Sequence, residues 1–217
     1  MELLNTRRVI GALALSFFLI PSAWAEPEPA CVENSPERQG ETGCSLVETK
    51  PLPPALKQPL FWHIDRFDTE ESARAAVGPA SVALEAHGAW WLLSIESSVT
   101  DHHGGRHVTN VFLPPLPPAQ RYSMLVMSAF IPPGLTSRAH RHSGVEALYT
   151  VDGEQCLETS TGAEKIPKGK TLAVPANVTM RLVATGSTPR RTLSVIVYDS
   201  SKPPTTEAGS AKLAACH

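Results

Sequence analysis

Gly134-Leu-Thr-Ser-Arg-Ala-His140-Arg-His142-Ser-Gly-Val-Glu146-Ala-Leu-Tyr-Thr-Val-Asp-Gly153 is the stretch on which the fold turns. In an extended chain side chains alternate faces, so His140 and His142 project to the same side. Ser143-Gly144 is a turn pair, and beyond it Glu146, Leu148 and Thr150 share a face. Folded as a hairpin, the segment sets two imidazoles and a carboxylate on one inner surface, within reach of a single cation. Arg138 has the parity of His140 and is a candidate to hold an anionic substrate at the mouth of that surface. No phosphate loop, G-x-S-x-G or zinc-finger spacing competes with this segment.

Working outward, strand signals dominate. Tyr122 to Ile131 is the strongest, rich in aliphatic residues and ended by Pro132-Pro133-Gly134. Ser81 to Ala86 and Ala89 to Ser94 flank His87-Gly88 as a hairpin does. Further runs are expected at Val108 to Leu113, Glu146 to Val151, Glu154 to Thr159, Lys170 to Val174, Thr179 to Ala184 and Thr192 to Tyr198. Asp68-x-x-Glu71 has the form of a capping box for one short helix through Ala76. About ten short strands with scarcely a helix indicate an all-β sandwich or barrel.

The chain has 217 residues, with 19 Lys and Arg against 21 Asp and Glu, for a net charge of −2. So mild a charge argues against nucleic acid or an anionic membrane as the main partner. Arg7 and Arg8, the apolar run Val9 to Ile20, and Ala23-Trp24-Ala25 have the layout of an export signal cleaved after Ala25. The apolar run falls short of the ~20 residues of a membrane span, so no membrane anchor is expected in the mature form. Residues 26–58, rich in Pro and Glu, read as a flexible leader, 59–200 as the folded domain and 201–217 as a polar C-terminal tail. The expected location is the periplasm or the exterior. There Cys31, Cys44, Cys156 and Cys216 are free to pair, most locally as 31 with 44 and 156 with 216.

The segment from Gly134 to Gly153 resembles the first signature of the cupin family, G-x5-H-x-H-x3-E-x6-G, at every defined position. The resemblance implies a single cupin-type jelly-roll β-barrel that the earlier strands complete, with one divalent metal at its mouth. By position His140, His142 and Glu146 inherit the ligand roles. The second signature, G-x5-P-x-G-x2-H-x3-N, is matched at Gly169 and Pro175, but Asn177 replaces its turn glycine and Met180 stands where its histidine belongs. Three protein ligands with open positions suit Fe, Mn or Zn, while the thioethers of Met124, Met127 and Met180 raise Cu as the alternative, and Met180 joins Arg138 as a candidate substrate contact. Asn177 tolerates a left-handed turn, so the turn itself should survive. Met124 and Met127 face opposite ways on one strand and cannot both line a site.

Two functions follow from the resemblance. One is an exported metal-dependent enzyme, oxygenase- or isomerase-like, acting on a small molecule in the barrel. The other is a non-catalytic small-molecule or metal-binding module with a degenerate second motif. Cupins often pair through barrel edges, so a homodimer is compatible. Asp101-His-His-Gly-Gly-Arg-His107 is either a second metal site or a solvated loop, and Trp90-Trp91 either floors a pocket or packs in a core strand. Cys156 is out of phase with the inward positions Gln155 and Leu157, which suits a disulfide rather than a thiol chemistry at the metal.

Overall fold

The computed structural model describes residues 32–33, 43–54, 56–98 and 104–216. The export signal and Cys31 lie outside the described residues. Three sheets form. The central one has six strands: β1 (Val32–Glu33), β2 (Gly43–Pro51), β7 (Tyr122–Ile131), β14 (Arg190–Asp199), β9 (Val145–Asp152) and β12 (Thr171–Val174), in that spatial order. A five-stranded sheet follows the order β11 (Ala163–Pro167), β10 (Glu154–Thr159), β13 (Met180–Thr185), β8 (His140–His142) and β15 (Thr205–Glu207). The third runs β4 (Ser81–Ala86), β5 (Ala89–Glu96), β3 (Leu60–Phe67) and β6 (Arg106–Leu113).

Strands β7 to β14 define the architecture. Numbered one to eight along the chain, they lie in the order 1-8-3-6 in the central sheet and 5-4-7-2 in the five-stranded one. That is the double Greek key of a jelly roll. The earlier strands do not complete it, contrary to the expectation from sequence. β3 to β6 form their own sheet and cover the outer face of the central one.

The central strands are therefore apolar on both faces. On β9, Val145, Ala147 and Tyr149 pack toward the four-stranded sheet, against a core that includes Trp62, Ile64, Leu93 and Ile95. Leu148 of the same strand points the other way and meets Leu157, Ile166, Met180 and Leu182 inside the jelly roll. A strand buried on both sides loses the apolar–polar alternation, which is why Tyr122 to Ile131 reads as one continuous apolar run. Met124 and Met127 fall in separate cores, as their spacing requires.

Other expectations shift. The short helix α1 (Glu70–Ala75) is capped by Thr69, whose side chain accepts from the Ser72 amide, so the cap lies one residue beyond Asp68. Its Ala73 packs with Phe67 and Leu92 on the outer face of the four-stranded sheet. Residues 43–51 are a strand rather than part of a flexible leader, because β2 pairs with the edge of β7. The tail is also structured: β15 pairs with β8, and Cys216 is bonded to Cys156. β15 is a polar edge strand held by backbone pairing, and β2, between β1 and β7, packs only Cys44, Leu46 and Val47 against the cores, so each leaves little apolar pattern in sequence. Cys44 is disulfide-bonded as well. No helix among the described residues is long and apolar enough to cross a membrane.

Candidate metal centre

The segment Gly134 to Gly153 does not fold as a hairpin. β8 belongs to the five-stranded sheet and β9 to the central sheet, so Ser143-Gly144 carries the chain from one to the other. Gly144 is required at this crossing, since a Cβ there would lie 2.0 Å from the Val197 carbonyl oxygen of β14. The two histidines thus approach from one sheet and Glu146 from the sheet opposite. Their potential ligand atoms all lie within 4.8 Å of one another.

Each imidazole is oriented from behind. The Nδ1 of His140 lies 2.8 Å from the Arg138 carbonyl oxygen. The Nδ1 of His142 lies 3.2 Å from the Pro204 carbonyl oxygen and 3.0 Å from the Thr205 hydroxyl. A carbonyl only accepts, so Nδ1 carries a proton in both rings, and Nε2 is the nitrogen left to face an ion. The rings meet edge to face with centroids 4.9 Å apart. Asn177, at φ +64°, donates its amide to the His142 carbonyl at 2.8 Å, so the variant turn of the second motif still supports the first.

His142 Nε2 and Glu146 Oε2 stand 3.4 Å apart, are buried, and have no hydrogen-bond partner among the described residues. Burial holds the His140 pKa below its ordinary value and keeps the ring neutral. For Glu146 burial alone would raise the pKa, but the His142, His140 and Arg190 side chains outweigh it and leave the carboxyl below its usual range. A neutral imidazole at His140 and an ionised carboxylate at Glu146 are protonation states that metal ligands need. An ionised carboxylate buried with an orphaned oxygen is otherwise costly. The donor set fits a divalent ion.

The remaining site residues behave differently. Met180 is the register partner of His140 but sits in the apolar interior with Leu148, Leu157 and Val174. Arg138 is exposed and donates to Glu207 at 2.8 Å, so it forms a surface ion pair rather than standing among the three ligands. Cys156 is buried and bonded to Cys216. Deeper in the jelly roll lies a polar chain absent from the sequence expectations. Arg190 Nη1 donates to Gln155 Oε1 at 3.0 Å, and Gln155 Nε2 to Thr150 Oγ1 at 3.0 Å. Its sequence signals were the shared phase of Glu146 and Thr150 and the inward position of Gln155. Pro204 and Thr205 were equally unforeseen, since they lie in the tail. Residues 101–103 of the histidine-rich loop lie outside the described residues, and His107 is engaged by Asp65 at 2.9 Å.

Strand order and side-chain geometry together define a jelly roll with a His-His-Glu constellation at its inner surface. No protein-family model matches the chain, and no curated protein does. Among solved structures, it is similar to a cupin-like protein from Thermotoga maritima, at 20% identity and a TM-score of 0.37, over 40% of this chain and 65% of that one. Oxalate decarboxylase from Bacillus subtilis matches at 16% identity and 0.35, over 39% and 24%. A polyketide cyclase from Streptomyces resistomycificus matches at 16% and 0.35, over 41% and 63%. The chain thus spans less than two thirds of the length of each of these three.

Proposed function

We propose that this chain is an exported metalloprotein that holds one divalent ion through His140, His142 and Glu146 and receives a small molecule in the jelly roll. The observation that carries this is the facing pair of buried atoms, His142 Nε2 and Glu146 Oε2, left without hydrogen bonds. Among the described residues no fourth His, Cys, Asp or Glu joins the cluster, which leaves coordination positions for water or a ligand. An ion bound there supplies Lewis acidity toward oxygen donors. The protein's own part is geometric. Arg138, Pro204 and Thr205 fix the ring tautomers, and Glu146 supplies the negative charge. Leu148, Leu157, Val174 and Met180 keep the adjoining interior apolar.

Export is proposed on the layout of residues 7–25, supported by the Cys156–Cys216 disulfide, which persists in oxidising compartments. A non-catalytic binding module is the second reading. It is favoured by Met180, whose thioether offers neither a ligand suited to Fe, Mn or Zn nor a general acid or base.

Elemental analysis of protein purified without chelator tests the metal. About one equivalent per chain is expected, falling below about a tenth in His142→Ala. Full metal content in that variant, or none in the wild type, removes the basis of the proposal. Oxygen uptake or product formation with candidate phenols, thiols or keto acids then separates enzyme from binder.

A further inference from the structure

A concave region lies on the outside of the jelly roll, where the four-stranded sheet meets β9, β14 and the β11–β12 turn. It is a cleft of about 420 Å³ whose floor is the pair Trp91 and Tyr149, with rings edge to face at 6.2 Å. Arg66, Arg106, Lys168 and Arg191 line it. Against these four permanent cations stands one carboxylate, Asp152, already held by Lys168 at 2.9 Å. In a chain of net charge −2 this is a local reversal of sign.

The strand register sharpens the point. Arg66 of β3 and Arg106 of β6 are direct cross-strand partners. Like charges placed opposite each other destabilise a sheet. Among the described residues neither guanidinium has a carboxylate within ion-pair reach. Arg66 instead lies over the Trp91 ring, 5.9 Å from its centroid. Trp91 directs its own indole N–H to the Ala86 carbonyl at 2.8 Å, so its polar atom is satisfied.

We infer that this cleft is a binding site for a small organic anion, its apolar body on Trp91 and Tyr149 and its oxyanion head between the arginines. A buried aromatic floor with a cationic rim recognises both halves of such a molecule, and guanidinium forks match carboxylate and phosphate alike. The volume suits a small-molecule site. The inference is independent of the metal centre.

Calorimetric titration of metal-free protein with phenyl phosphate, benzoate and phenol tests it. At least one anion should bind saturably with a Kd of about 10 µM to 1 mM, and phenol at least about tenfold more weakly. The tighter of the two anions identifies the head group. Arg106→Gln and Arg191→Gln should each weaken the anion about tenfold, the loss expected for one charge-assisted hydrogen bond. Arg106→Gln should not lower the melting temperature, because it relieves the Arg66–Arg106 repulsion. His142→Ala should leave the affinity unchanged. Absence of saturable binding by either anion, equal binding of phenol, or unaltered affinity in both arginine variants overturns the proposal, as does loss of binding in His142→Ala.

Discussion

Two clusters in this molecule have the same composition, two histidines and a buried acid, and the structure uses them in opposite ways. In the four-stranded sheet His63 Nε2 donates to the Ser98 carbonyl at 2.7 Å, and His107 Nδ1 donates to Asp65 at 2.9 Å. The two rings sit 6.3 Å apart. In the jelly roll the histidines are anchored by backbone carbonyls behind them, and their free nitrogens converge on Glu146. Composition alone does not separate these clusters. What separates them is where the hydrogen bonds go: in the first the acid is a partner of an imidazole, while in the second His142 Nε2 and Glu146 Oε2 are left without one.

The largest effect that tests this contrast is on metal content. Glu146→Gln keeps the shape and removes the charge, and should cut divalent-ion affinity by at least about 100-fold. His107→Gln should leave it within about twofold. Equilibrium dialysis with Zn or Mn reads both, and a comparable loss in the two variants would erase the distinction. The same ion should raise the melting temperature of the wild type but not of Glu146→Gln, because only a species that binds the folded state stabilises it.

A second effect concerns the tail. Cys216 is bonded to Cys156 at a separation of 60 residues, and its amide donates to Glu158 at 2.7 Å. Cys216→Ser should lower stability by about 2–5 kcal/mol in chemical denaturation. It should also weaken metal binding, since the same tail brings Pro204 and Thr205 to His142. Thr205→Val removes only one of the two contacts to Nδ1 and should cost less than about tenfold in affinity. If Cys216→Ser destabilises the fold but leaves the affinity untouched, the tail is a clamp on the sheet and not a support for the ligand.

The extent to which this was legible in the sequence follows from the range of the interactions. Local patterns held: Tyr122–Ile131 and Glu154–Thr159 are strands at the bounds expected, and Asn177 takes a left-handed turn. Alternation also placed Glu146 and Leu148 on the inner face. Sheet membership was not legible. Whether β8 pairs with β9 or with β13 is decided by partners some forty residues away, and the motif looks the same in either case. β15 was missed because an edge strand joined through its backbone needs no apolar stripe, and β2 because its apolar residues are confined to Cys44, Leu46 and Val47 in an otherwise polar run. Arg190 was missed because nothing in Arg190-Arg191 announces which of the two turns inward.

The smallest effect bears on the other cluster. Burial holds the His63 pKa below its ordinary value and is the largest influence, opposed by the hydrogen bond to Ser98 and the charges of Glu96 and Asp65, and assisted by His107. A histidine whose folded pKa is depressed is neutral in both states above its unfolded value, so it is without effect there. As pH falls through that value toward the lower folded one, the unfolded state takes up the proton first and stability declines. Melting temperatures of the metal-free wild type should therefore drop between about pH 7 and about pH 5, and His63→Gln, which retains a donor for Ser98, should drop less. The metal-free condition matters, because protons also compete for His140 and His142 and would otherwise add a ligand-release slope. An identical slope in the variant would assign the acid sensitivity elsewhere and leave His63 a packed, uncharged spacer throughout that range.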